Sequence, residues 1–106
     1  RYGIDPSKKL LEKAKKKYKA IIFKQAPAEK IPFKDNFFDI VISVTALQNF
    51  ADIEKSLSEI KRVGKDKFIL TFLKRSAKKE RLDQLIKKYF KVKKIIEEEK
   101  DFIYII

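Results

Sequence analysis

The sequence predicts an α/β fold, a doubly wound, mostly parallel sheet closed by a C-terminal antiparallel hairpin, in one domain over residues 1–106. Three observations lead there. Short β-rich runs alternate with segments whose apolar residues recur every three or four positions, the pattern of strands and helices taking turns along one chain. The run Phe38-Asp39-Ile40-Val41-Ile42-Ser43-Val44 is nearly all apolar, as a strand buried on both faces of a parallel sheet requires, and is expected at the centre of the core. The last two β-rich runs, Val92 to Glu98 and Asp101 to Ile106, are separated by Glu99-Lys100 alone, which is hairpin spacing.

Taken in order, Arg1 to Asp5 reads as the end of a strand, and Pro6-Ser7 opens a helix with Leu10, Leu11, Ala14 and Tyr18 on its inner face and Lys8, Lys9, Lys13, Lys16 and Lys17 on the other. Ala20 to Lys24 is a second short strand. A loop from Gln25 to Phe38 follows, punctuated by Pro27 and Pro32, and its length marks it as functional. Beyond the central apolar run and a loop from Thr45 to Ala51, Asp52 is a good N-cap for a helix inward at Ile53, Leu57 and Ile60, with Gly64 as its C-cap. Phe68 to Leu73 is the next buried strand. Ser76 is expected to cap a helix running to Tyr89 with Leu82, Leu85, Ile86 and Tyr89 inward.

Composition narrows the chemistry. Cys and His are both absent, which removes disulfides, thiolate and imidazole metal sites, and His-based general-base triads. No apolar stretch approaches the roughly 20 residues of a membrane helix and no signal-peptide pattern opens the chain, so a cytoplasmic protein without a membrane role is expected. A chain that opens on Arg1 instead of Met reads as one processed, cut or taken from a longer one. The balance of 27 Lys+Arg against 15 Asp+Glu gives a net charge of +12. Two readings of that charge stand side by side: a footprint for RNA or another polyanion, and the Lys/Glu-rich surface of a heat-adapted protein.

In parallel sheets of this kind ligands bind at the carboxyl ends of the strands, here the segments after Ile4, Phe23, Ser43 and Leu73. Three stretches in those places carry a resemblance: Gly3-Ile4-Asp5-Pro6-Ser7 with Leu11-Glu12-Lys13-Ala14, then Ala28-Glu29-Lys30-Ile31-Pro32-Phe33 with Lys34-Asp35-Asn36-Phe37-Phe38-Asp39-Ile40-Val41, and the helix and strand after them. In order and spacing they resemble the class I S-adenosylmethionine-dependent methyltransferases, specifically the branch with a Leu-Pro-Phe loop, over essentially the whole chain.

The resemblance implies a Rossmann-like methyltransferase fold, S-adenosyl-L-methionine as cofactor, and a small-molecule or RNA methyl acceptor. It implies that Asp5 accepts hydrogen bonds from the cofactor ribose; on the residues alone, Asp5 and Ser7 read first as helix caps, and an Asp at this position also serves nicotinamide dinucleotides in related sheets. The loop at Ala28 and Glu29 would recognise adenine, with Pro6 and Ile31 as apolar walls. The family's acidic residue before that position is replaced by Pro27, so Gln25 through its side-chain oxygen, or the Ala28 N–H alone, must stand in. Glu29 reads also as a solvated loop residue, and Asp39 as a structural carboxylate satisfied by loop amides. Ser43, Thr45, Gln48 and Asn49 would face the sulfonium methyl and the acceptor. Ser43-Val44-Thr45-Ala46 stands where enzymes that methylate exocyclic amines carry Asn/Asp-Pro-Pro-aromatic, which argues against such acceptors. Lys74 and Arg75 follow a strand at its ligand end and would suit a phosphate-bearing substrate.

One family feature is missing. Gly3 and Gly64 are the only glycines, so no glycine-rich turn exists to let backbone approach the cofactor closely. The family's first strand is expected to lie between the strand ending at Asp5 and the one beginning at Asp39, leaving a split sheet for an N-terminal segment or a second chain, such as a homodimer partner, to complete. The competing function is a non-catalytic, methyltransferase-like basic subunit for RNA binding or assembly.

Overall fold

The computed structural model describes residues 1–44 and 46–106; Thr45, one of the substrate-facing expectations, lies outside the described residues. In chain order the elements are β1 (Tyr2–Asp5), α1 (Lys8–Lys17), β2 (Ile22–Gln25), β3 (Phe38–Ser43), a 3-10 turn at Leu47–Asn49, α2 (Ile53–Val63), β4 (Gly64–Leu73), α3 (Lys79–Tyr89), β5 (Lys94–Glu97) and β6 (Asp101–Ile105). The fold is α/β with mixed pairing, and its strands form two sheets. β1 and β2 pair in parallel with Asp5 opposite Gln25. The other four run in the order β3-β4-β6-β5, parallel between β3 and β4 and antiparallel across the C-terminal hairpin.

The core lies on one face of the larger sheet. Apolar residues of α2 at helical spacing, Ile53, Leu57, Ile60 and Val63, and of α3, Leu82, Leu85 and Ile86, close over Phe68, Leu70, Phe72 and Tyr104. Asp52 caps α2 as expected, its Oδ1 accepting from the Lys55 N–H at 3.1 Å. Phe90, just past α3, sets its ring 4.9 Å from that of Phe68.

Several expectations need correction. β3 is not buried on both faces and is not the core's centre: Ile40, Ile42 and Val44 are 53%, 58% and 67% exposed. It pairs along one edge only, and no helix among the described residues covers its outer face, where alternation and register align Ile42 with Ile69 and Ile105. The centre passes to β4, whose Leu70 and Phe72 are fully buried. Leu10 and Tyr18 are exposed and Leu11 alone of the α1 stripe is buried, because α1 packs on the small two-stranded sheet and has too little surface to bury the rest.

Gly64 does end α2, but in extended conformation at φ −98° and ψ 152°, so it starts β4 directly instead of forming a left-handed cap. Ser76 caps a preceding turn, accepting from the Lys78 N–H at 3.1 Å, and the α3 N-terminus itself has no side-chain cap. Asp39 is exposed and held by Lys65 at 3.0 Å, not by loop amides.

The two sheets are joined at the amino ends of β1 and β3 by an aromatic cluster. Tyr2 meets Phe33, Phe37 and Phe38 at ring-centroid distances of 5.1, 5.7 and 5.6 Å, all edge-on. Such pairs contribute about 0.5–1.5 kcal/mol each beyond their burial, so this cluster is the seam between the halves.

Candidate functional site

Above the aromatic seam, β1 and β3 part and leave a groove of about 400 Å³ open toward their carboxyl ends. One wall is β1 running into Pro6, the other is β3 running into Ala46 and Phe50, and Ile60 and Val63 of α2 reach it from below. The loop after β2 closes one end with Ala26, Ala28 and Ile31, which are 8%, 9% and 8% exposed. Apart from the Tyr2 phenol, the side chains that line it are apolar except Asp5 and Ser43, each at the last position of its strand.

Asp5 is fixed by its own backbone surroundings. Its Oδ1 accepts from the Ser7 N–H at 2.8 Å, Ser7 Oγ accepts from the Leu10 N–H at 3.2 Å, and the Asp5 carbonyl accepts from Ala26 N–H at 3.2 Å. One Asp5 oxygen thus organises the start of α1, and among the described residues nothing donates to the other. Gln25 Nε2 donates to the Pro6 carbonyl at 3.2 Å, tying the ends of β2 and β1 together. Gln25 does not line the groove.

Of the residues expected at a site, Asp5, Pro6, Ala28, Ile31 and Ser43 meet in this groove, and Gln25, Glu29, Gln48, Asn49, Lys74 and Arg75 do not. Glu29 turns to α2, its Oε2 accepting from the Asp52 N–H at 2.9 Å. Gln48 and Asn49 sit on the 3-10 turn outside the lining, with the Gln48 carbonyl accepting from Lys78 Nζ at 3.2 Å. Lys74 is engaged by Glu97 Oε2 at 2.7 Å, and Arg75 remains exposed beside it.

Sequence reasoning missed the polar group behind the loop. Arg62 Nη2 donates to the Ile31 carbonyl at 2.9 Å, and Nη1 to the Phe33 carbonyl at 2.8 Å and to Asp35 Oδ1 at 2.9 Å, while Nε donates to Glu59 Oε2. Glu59 Oε1 accepts from the Ile31 N–H at 3.0 Å. The Arg62 guanidinium, then the Ile31 N–H, hold the Glu59 carboxyl below the usual carboxylate range against the opposing effect of burial. Glu59 and then Asp35 stabilise the Arg62 cation further. The available signal was an i,i+3 charge pair flanking the apolar stripe of α2, facing a loop whose backbone needs partners.

The fold is an α/β domain whose groove opens at the carboxyl ends of β1 and β3, where sheets of this kind bind ligands. The family model described as Methyltransferase domain (Methyltransf_11) matches residues 1–72, and the chain belongs to that family, whose methyl donor is S-adenosylmethionine. Residues of the chain are 40% identical over 63 positions to the demethylmenaquinone methyltransferase of Chlorobaculum parvum, covering 59% of this chain and 26% of that protein. The chain thus spans about a quarter of that curated relative's length. In fold it is similar to the PH0226 protein of Pyrococcus horikoshii, with a TM-score of 0.86 over 98% of this chain and 69% of the other at 20% identity. It is likewise similar to a SAM-dependent methyltransferase of Aquifex aeolicus, with a TM-score of 0.80 over 98% and 66% at 19% identity.

Proposed function

We propose that this chain supplies one part, residues 1–106, of a doubly wound S-adenosylmethionine-dependent methyltransferase of the cytoplasm that transfers a methyl group to a small-molecule acceptor. The observation that carries the reading is the groove between β1 and β3, with one free carboxylate oxygen at Asp5 and an apolar loop wall at Ala28 and Ile31. That donor set fits the cofactor. A carboxylate accepts two ribose hydroxyls; Pro6 and Ile31 would wall the adenine ring, and the Ala28 N–H, which has no partner among the described residues, would be free to meet its edge. Pro27 offers neither carboxylate nor N–H, so the exocyclic amine gains no family-type acceptor there.

When bound, the cofactor supplies an activated methyl on a sulfonium, a good leaving group. The chain's task is then alignment: to hold the nucleoside at Asp5 and the loop, exclude water with its apolar walls, and present Ser43 and the β3 end toward the acceptor. Few acid–base groups are required, consistent with a chain lacking Cys and His.

The split sheet also calls for a partner. β1 and β3 each present an unpaired edge across the groove, and the isoleucine face of the larger sheet lacks a helix among the described residues. One strand with its glycine turn and one helix, from an N-terminal segment or a second chain, would satisfy both. RNA is the alternative acceptor or partner that the +12 charge favours.

The test is calorimetric titration of S-adenosylhomocysteine into the chain alone and into the chain joined at Arg1 to the first strand, glycine turn and helix of a family member. One-site binding by the joined form is expected. No binding by either form would defeat the cofactor assignment.

A further inference from the structure

We propose that Arg62, together with Glu59, is a positioning residue that fixes the loop Glu29–Asp35 in its ligand-ready conformation and so sets cofactor affinity. This rests on the reading of the groove as the cofactor site. The loop has no strand or helix of its own between β2 and β3, and Pro27 and Pro32 carry no N–H with which to build one. Among the described residues its internal backbone bonds are only those from the Lys30 N–H to the Pro27 carbonyl at 3.2 Å and from the Phe33 N–H to the Ile31 carbonyl at 2.9 Å, so other groups need partners from outside. α2 provides them, at both peptide edges of one residue: the Ile31 N–H donates to Glu59 Oε1 at 3.0 Å and the Ile31 carbonyl accepts from Arg62 Nη2 at 2.9 Å.

The same guanidinium reaches the Phe33 carbonyl at 2.8 Å and the Asp35 carboxylate at 2.9 Å. A planar fork with fixed donor directions therefore sets three loop positions relative to one another, which a flexible ammonium would not do. The Arg62 carbonyl closes the arrangement by accepting from the Asn36 N–H at 2.8 Å, where Asn36 turns the chain into β3 with φ 54°. At the other end of α2, the Asp52 N–H holds Glu29 at 2.9 Å. The loop is thus pinned to one helix at both ends. That helix also places Ile60 and Val63 in the groove, so a single rigid element registers Ile31 and Ala28 against the opposite wall and Asp5.

A loop ordered in advance spares the ligand the cost of ordering it. The experiment compares the chain joined to a first strand, glycine turn and helix with its Arg62→Ala, Arg62→Lys and Glu59→Gln variants by S-adenosylhomocysteine calorimetry, amide hydrogen exchange over residues 28–36, and melting temperature. Arg62→Ala is expected to weaken binding about tenfold or more, with faster exchange confined to the loop. Arg62→Lys should recover part of the affinity and Glu59→Gln should fall between. Wild-type affinity in folded Arg62→Ala or Arg62→Lys protein, measured well below its melting temperature, overturns the positioning role and leaves Arg62 as scaffold. No binding by the wild type overturns the cofactor reading itself, a separate result that removes this proposal with it.

Discussion

The Tyr104 hydroxyl donates to Asp83 Oδ1 at 2.6 Å, joining the last strand to α3. Tyr104 is 2% exposed, so its hydroxyl depends on this one partner, and Lys87 completes the group at 3.1 Å from Asp83 Oδ2. Burial acts to raise the Asp83 carboxyl, but the Tyr104 hydroxyl and Lys87 outweigh it and hold it below its ordinary value. A depressed folded-state carboxylate contributes stability that is present above its unfolded pKa and lost as pH falls through the folded one. Tyr104→Phe should therefore destabilise the chain by about 1–2 kcal/mol at pH 7 and flatten the loss of stability as the pH falls below the ordinary carboxylate range. Urea unfolding across that range checks both; parallel acid limbs for the two proteins would contradict the coupling.

Gly64 meets Val41 and Phe68 where β4 leaves α2. A Cβ added there would overlap the Phe68 ring and stand 2.8 Å from Val41 Cγ2. Since its φ of −98° suits any residue, the requirement is for space and not for backbone freedom. Gly64→Ala is expected to cost about 1–3 kcal/mol through overpacking. Pairing it with Phe68→Leu should return part of that loss, and thermal unfolding of the two variants gives the comparison. A strain of backbone origin would show no such recovery.

Much of this was legible in advance. The element order, the α2 cap at Asp52 and the antiparallel closing hairpin follow from local pattern, because caps and periodicity act within a few residues. Burial was not legible at β3 or at Leu10 and Tyr18, since an apolar run states what a segment would bury, not whether a neighbour is there to bury it. In the groove, Asp5 and Ser43 fall at strand ends that topology selects, whereas Pro6, Ala28 and Ile31 are singled out by the family resemblance. Arg62 and Glu59 escaped because their partners are backbone groups about 30 residues away, which no sequence spacing encodes.

The open edges and the isoleucine face predict self-association of the isolated chain. Ile42 lies at the meeting of both, 58% exposed on an edge strand whose outer neighbour is absent from the described residues. Exposed apolar strand edges pair with other chains, and an inward charge blocks them. The isolated chain should sediment as a dimer or larger species at micromolar concentration. Ile42→Lys should shift it to monomer with a melting temperature no lower than the parent's. A parent that is already monomeric at that concentration would rule out association through this face.

Asp5 offers a way to separate capping from ligand binding in one residue. Its Oδ1 serves the Ser7 N–H at 2.8 Å, a bond an asparagine oxygen can also accept, whereas its second oxygen is the proposed ribose acceptor. In the strand-completed protein, Asp5→Ala should weaken S-adenosylhomocysteine binding by about 1.5–3 kcal/mol, the range for lost charge-assisted hydrogen bonds. It should also lower stability by about 0.5–2 kcal/mol through the lost turn. Asp5→Asn should keep most of the stability and still lose affinity, since its amide offers one acceptor oxygen where the carboxylate offers two. Calorimetry for affinity and urea unfolding for stability read the two roles independently. If Asp5→Asn binds as tightly as the parent, the residue is a cap, and recognition of the ribose belongs to another group in the groove.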